Sequence, residues 1–159
     1  MNKYIPHLLV LPEDDANRQI ANGFLLNPNL KNRSIQVLPP AGGWTKVLED
    51  FSSVHVSEMQ TYSQRRIVLV IDFDRHEDRL SRVREKIPQA LADRVFVLGT
   101  MSEPENLKIA FGESFEEIGK ALAKDCAYNT NELWGHDLLS HNAPEINRMI
   151  ISVKPFLFN

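Results

Sequence analysis

Residues Ile67, Val68, Leu69, Val70 and Ile71 form an apolar run with no polar residue at either parity, and the run ends in Asp72-Phe73-Asp74. A strand with one solvated face alternates, so a run apolar at both parities predicts a strand covered on both faces, as at the centre of a parallel sheet. In open α/β sheets ligands bind outside the carboxyl ends of the strands, which is where Asp72 and Asp74 fall. Alternation puts the two carboxylates on one side of the extended chain. Such a pair repels unless a cation lies between them, and Mg²⁺ or Mn²⁺ is commonly held by one or two carboxylates with water and substrate oxygens. The structural reading of the same residues is that Asp74 caps a helix starting near His76 and Asp72 is a solvated strand end.

Three further runs read as strands. His7 to Leu11 ends in Pro12-Glu13-Asp14-Asp15, Ser34 to Leu38 ends in Pro39-Pro40-Ala41-Gly42-Gly43, and Arg94 to Gly99 leads to Met101-Ser102-Glu103-Pro104-Glu105. Between them the period changes to that of a helix. Ala16, Ile20 and Phe24 lie four apart with Asp14 or Asp15 as the cap, and Trp44, Val47, Leu48 and Phe51 form a second stripe. Leu80, Val83, Ile87 and Leu91 predict a helix kinked at Pro88. Only Val54 to Gln64 has a weak pattern. Beyond residue 110, Phe115, Ile118 and Leu122 predict a helix, Leu133 to Asn142 a shorter helical piece, and Ala143 to Ile151 another helix. The apolar tail Val153 to Phe158 is expected to cover a sheet edge or a partner subunit, the latter implying a homodimer. The alternation of strands and helices predicts an α/β three-layer sandwich, with a mostly parallel central sheet and helices on both faces.

With 159 residues the chain fits a single domain over 1–159, with a core over 5–110 and a C-terminal helical extension over 111–159. A net charge of −3 supplies no global basic field, so any contact with DNA or RNA has to be local or metal-mediated. Cys126 is the only cysteine. That excludes an internal disulfide and any multi-cysteine metal site, and it suits a reducing compartment. A small buried filler within a helix is the expected role of Cys126. The first residues lack the apolar core of a signal peptide, and no apolar run approaches the roughly 20 residues of a membrane span. A cytoplasmic protein without a membrane partner is expected.

Glu13, the pair Asp72 and Asp74, and Glu103 with Glu105 all follow predicted strands, and a parallel sheet brings such ends to one edge. One glutamate from the first strand and an Asp-x-Asp from a later one compose a three-carboxylate metal site. The order Leu9-Val10-Leu11-Pro12-Glu13, a helix, Val37-Leu38-Pro39-Pro40-Ala41-Gly42-Gly43, then Val68-Leu69-Val70-Ile71-Asp72-Phe73-Asp74 resembles the Toprim domain of topoisomerases, primases and overcoming-lysogenization-defect nucleases. Glu103-Pro104-Glu105-Asn106-Leu107 is similar to the acidic-Asn segment of the last of these. The likeness covers roughly residues 5 to 110. Asp14 stands where the family usually has Gly, and Asn17 where the nuclease branch has a second acid. No Gly-x-x-x-x-Gly-Lys-Ser/Thr loop accompanies it, so the resemblance is to a stand-alone Toprim-like protein.

The resemblance implies Mg²⁺- or Mn²⁺-dependent phosphodiester chemistry on nucleic acid. Asp72 and Asp74 would hold the ion, and Glu13 would complete the site or act as general base. Glu105 would serve a second ion, and Asn17 could offer it only a neutral oxygen. Gly42 and Gly43 would present backbone N–H groups to a phosphate, or simply turn the chain from strand to helix, and Lys108, Arg75 and Arg79 would contact phosphate if they face the edge. A non-catalytic Toprim-like module acting through protein partners is the first rival. A flavodoxin-like or receiver-like domain is the second, and a receiver needs a lysine after a fifth strand. His136 and His141, five apart, lie on different helix faces and do not predict a shared metal, and His76 is expected in solvent.

Overall fold

The structure is a computed structural model that describes all 159 residues. Four strands form one all-parallel sheet: β1 (His7–Pro12), β2 (Ile35–Val37), β3 (Arg65–Val70) and β4 (Val95–Leu98), in the order β2-β1-β3-β4. The two longest strands, β1 and β3, are adjacent in the middle, with Leu9 opposite Ile67 and Leu11 opposite Leu69. Their apolar runs follow from that position, because an interior strand of a parallel sheet has no solvated face. With four strands, the fifth that a receiver needs is missing from this sheet.

Helices cover both faces. Leu9, Leu11, Ile67, Leu69, Val95 and Val97 point to one side, where they bury against α2 (Trp44–Asp50), α3 (Val56–Thr61) and α4 (Arg79–Arg84) through Val47, Met59 and Val83. A single π-helical stretch, Phe51–His55, joins α2 to α3 and seats Phe51 fully in this core, so the segment with little sequence periodicity is helical with a widened turn. On the other side Leu8, Val10, Val68 and Phe96 meet α1 (Asp15–Phe24), α6 (Phe115–Tyr128), α7 (Ala143–Ser152) and α8 (Lys154–Leu157). A smaller cluster of Leu107, Ile118, Leu122, Leu133 and Leu139 ties α5 (Pro104–Phe111) to α6.

Three local expectations change. Helix α4 stops at Arg84, and the chain resumes as a 3₁₀ segment, Gln89–Arg94, rather than running kinked through Pro88. Proline lacks the N–H a helix needs there and its ring clashes with the carbonyl four residues back. Residues 133–139 are turns, not helix. The buried Asp125 carboxylate accepts the N–H groups of Glu132, Leu133 and Trp134 and the Thr130 hydroxyl, so the loop closes around one acid. The tail covers a face of its own sheet: Val153, Leu157 and Phe158 are buried in the second core, and Phe158 forms an antiparallel bridge with Leu30.

Beyond β4 no strand follows, and side chains bond its outer edge instead. Asn142 Oδ1 accepts the Gly99 N–H at 3.1 Å while its amide donates to the Gly99 carbonyl at 2.9 Å. At the other end Arg148 donates to the carbonyls of Val95 and Ala92. Arg148 and Arg84, each about a third exposed, both pair with Glu145, which is 1% exposed, so a buried carboxylate held by two half-buried arginines fixes α7 against the other layer's α4.

Helices α1 and α6 cross at backbone contact. A Cβ on Gly119 would stand 1.9 Å from the Ile20 carbonyl, and one on Gly23 would stand 2.1 Å from the Glu116 carbonyl. Neither obstacle is a flexible side chain, so the helices would have to separate. Gly119→Ala is expected to lower the stability by about 2 kcal/mol or more, read from the urea midpoint at unchanged m-value. A neutral outcome would mean that the crossing is looser than described.

Candidate functional site

Because β1 and β3 are parallel neighbours, their carboxyl ends place Glu13 beside Asp72. The Glu13 N–H donates to the Val70 carbonyl at 2.8 Å, and the Glu13 carboxylate Oε2 accepts the Asp72 N–H at 2.6 Å. The side chain thus continues the ladder by one step after the strands end. Glu13 and Asp72 are 9% and 7% exposed. Extended pairing persists past β3, with the N–H groups of Ile71 and Phe73 bonding the carbonyls of Leu98 and Thr100, so Ile71 and Phe73 stay in the core while Asp72 faces the other way.

Asp14 is the cap of α1, accepting the Asn17 N–H at 2.9 Å. Asn17, 2% exposed in the first turn, donates its amide to Asp72 Oδ1 at 2.9 Å. Asn17 therefore acts as a donor to the carboxylate and offers that contact no ligand oxygen. Its place one turn into α1 explains the position, since the N-cap, the helix start and β3 meet at this edge.

Asp74 lies apart from the buried pair. Its backbone is left-handed, φ 47°, as is that of Arg75 at 60°, so the strand alternation that would align it with Asp72 breaks there. It caps no helix: α4 begins at Arg79, and Asp74 instead pairs with Arg79 at 2.9 Å. Arg79 also donates to the Asp72 carbonyl at 2.7 Å and stacks on the Trp44 ring, 4.5 Å from its centroid. This arginine is buried and facing inward, not a free surface cation.

The electrostatics are those of acids gathered in a partly dry site. Burial pushes the Asp72 carboxyl up to about 8; Asn17 opposes this, and Glu13 and Asp14 reinforce it, Asp14 also through a hydrogen bond between the two side chains. Burial raises Glu13 as well, with Asp14 and Asp74 adding to the effect and the Asp72 N–H and Arg79 opposing it. This shift favours the protonated form of Asp72 at neutral pH.

The remaining expected site residues are placed otherwise. Gly42 and Gly43, with φ 99° and 136°, both donate their N–H groups to the Glu13 carbonyl, at 2.9 and 3.1 Å. These amides lock the strand-to-helix turn and are not presented to a phosphate; the seven-residue α2 follows. Glu105 is exposed in the first turn of α5, and no hydrogen bond or ion pair joins it to the cluster. Lys108 is exposed and lies over the Phe115 ring at 4.9 Å. His76 is exposed, His136 accepts the Leu138 N–H, and His141 packs edge-on against Phe73. Cys126 is a largely buried helical residue whose thiol burial pushes up to about 11.

No group of three or more His, Cys, Asp or Glu side chains is disposed to hold a metal ion. Of the expected set, Glu13 is bonded to the Asp72 amide and Asp74 to Arg79, while Asp14 acts on the Asp72 carboxyl from the start of α1. Sequence reasoning treated Asp14 as a cap and a departure, Asn17 as a weak ligand, and Arg79 as an exposed cation. The helical register of Asp14 and Asn17 was the available signal, since the N-cap and the third residue of a helix share its mouth.

No protein-family model matches the chain, and neither a curated protein nor a solved structure matches it.

An acid whose folded pKa lies above its unfolded one, about 3.9 for Asp, binds its proton preferentially in the folded state. Its contribution to stability is complete below the unfolded value and is lost as pH rises toward 8. Between about pH 5 and about pH 8 the unfolding free energy is expected to fall by on the order of 3 kcal/mol from this source. Asp72→Asn should flatten that slope and be the more stable protein at the alkaline end. An unchanged slope in urea unfolding across this range would show that Asp72 is ionised throughout.

Proposed function

We propose that this chain is a stand-alone Toprim-like protein that carries out Mg²⁺- or Mn²⁺-dependent phosphodiester chemistry on nucleic acid at the edge formed by Glu13, Asp14 and Asp72. The observation that carries this reading is the Asp72 carboxyl, buried at the carboxyl end of the central strand and pushed up to about 8 among other acids. Acids concentrated where an α/β sheet binds its ligands need a proton or a cation to balance them. The residues fit an ion held by Asp72 and Asp14, with its other positions taken by water and substrate oxygens, as Mg²⁺ prefers. Bound there, the ion would neutralise charge at a phosphoryl group.

The chain's own residues have separable parts in this proposal. Asp72 exchanges its proton for the ion. Asn17 fixes the rotamer of Asp72 by holding Oδ1, leaving the second oxygen for the ion. Glu13, a stronger base than an ordinary carboxylate because burial raises its pKa, is suited to accept a proton from an attacking water. Its other oxygen remains bonded to the Asp72 N–H meanwhile. Arg79 would keep Asp74 away from the ion, held in place by its stacking on Trp44. Glu105 and Lys108 have no part in holding this ion.

One observation favours the non-catalytic rival: Arg79 already brings a fixed positive charge to Asp74 and the Asp72 carbonyl. The two readings separate in a metal titration. At about pH 8, millimolar Mg²⁺ or Mn²⁺ is expected to raise the melting temperature of the natural chain and to leave Asp72→Asn unchanged. Labelled single-stranded and duplex DNA and RNA are expected to be cut only with the metal present. Glu13→Gln should slow that cleavage by about 10²-fold. Stabilisation without cleavage would favour the binding module, and neither effect would remove the metal reading.

A second variant probes the same site from the other side. Asn17→Asp replaces a donor to Asp72 with a like charge, so without metal it should cost about 1–3 kcal/mol at alkaline pH. Millimolar Mg²⁺ is expected to restore most of that loss. A cost that metal does not relieve would mean that no ion reaches the pair.

A further inference from the structure

The sheet face opposite Trp44 borders a cavity of about 120 Å³, walled by Val10, Val68 and Val70 of the sheet and by Ala21 and Phe24 of α1. Well-packed cores hold few voids larger than a water molecule, and an apolar void of this size stays dry and accepts apolar guests. A second, wider cavity of about 460 Å³ adjoins it, reaching the surface between the end of α6 and helices α7 and α8. Phe24, Leu98, Trp134, Met149 and Leu157 line both, so the two adjoin as one passage that is narrower and more apolar at its inner end.

Apart from Asn17 and Thr100, which border the inner cavity, the polar groups of the passage lie in its outer part. Asp125 and Lys154 are its two charged lining residues. The acid is saturated, accepting three backbone N–H groups and the Thr130 hydroxyl. The lysine makes no ion pair and bonds only the neutral Asn129 side chain. The passage therefore has an apolar end and, at its rim, one cation that makes no ion pair. We propose that it is a binding site for a single-chain amphiphile with a carboxylate head, a medium-chain fatty acid or acyl group, whose tail lies against Val10 and Val68 and whose carboxylate meets Lys154.

The polarity of the two ends carries this assignment. A rigid polar metabolite would leave its hydrogen-bonding groups unpaired against the inner wall. A purely apolar molecule would leave Lys154 without a use, whereas a flexible chain with one anionic end satisfies both parts of the passage. The site lies on the sheet face away from Trp44 and α2 and does not depend on the metal proposal.

Trp134 borders both cavities, while the other tryptophan, Trp44, packs on the opposite face of the sheet, so tryptophan emission reports the site. Decanoate brominated at its last carbon, titrated below its micelle concentration, is expected to quench the Trp134 component saturably at one molecule per chain. Lys154→Gln should weaken decanoate about tenfold and leave decanol unchanged. Ala21→Phe, which fills the inner end, should abolish binding of both, and Met149→Trp would do so if that variant does not fold. Absence of saturable quenching overturns the proposal. So does quenching that persists when the inner end is filled, because the amphiphile would then be adsorbing to the surface, and so does equal loss of decanoate and decanol in Lys154→Gln.

Discussion

The structure depends on the parallel pairing of β1 with β3 in the middle of a four-stranded sheet. Parallel pairing buries both faces, so the stretches Leu8 to Leu11 and Ile67 to Val70 must be apolar, and each face then requires its own layer of helices. It also brings the ends of the two strands to one edge. There the apolar requirement lapses and the backbone groups of Glu13 and Asp72 still need partners. A glutamate side chain bonding the neighbouring amide meets that need, which makes Glu13 at once the last rung of the ladder and a member of the acidic edge.

The acidic edge balances four carboxylates with few opposing groups. Asn17 gives Asp72 a dipole instead of a charge, Arg79 neutralises Asp74, and the Asp14 carboxylate is partly engaged by a helix start. What is left over resides on Asp72 as an elevated proton affinity. A site in this condition is inexpensive to switch: under the proposed metal reading a divalent ion would compete with that proton for one small region, and the balance would shift with pH. The left-handed pair Asp74 and Arg75 contributes by turning the chain away, so that a third carboxylate does not crowd the buried pair.

Much of this was legible in the residues. The run Ile67 to Ile71 identified the central strand, and His7 to Leu11 its neighbour, because burial on both faces leaves a compositional mark. The convergence of Glu13 and Asp72 followed from parallel topology alone. Three things did not follow. The loop after Asn129 takes its shape from a buried Asp125 whose partners are backbone N–H groups, which leave no periodic trace. The inward turn of Arg79 onto Trp44 joins residues 35 positions apart in ways no local pattern encodes. Gly42 and Gly43 were read with a phosphate in mind, but the Glu13 carbonyl, brought close by β1, takes both amides. In each case a long-range partner decided between local alternatives.

The treatment of the sheet margins bears on how this protein behaves at high concentration. An open strand edge is a template for pairing with another molecule. Here β2 is only three residues long, and the Leu30 to Phe158 bridge lies close to that side of the fold. On the far side Asn142 imitates a strand by both donating to and accepting from Gly99, while Arg148 occupies the Val95 carbonyl. Both guards come from the last third of the chain. That segment therefore acts as a built-in chaperone for the sheet: during synthesis, β4 emerges well before the residues that shield it, and the interval between them is when the chain is most prone to self-association.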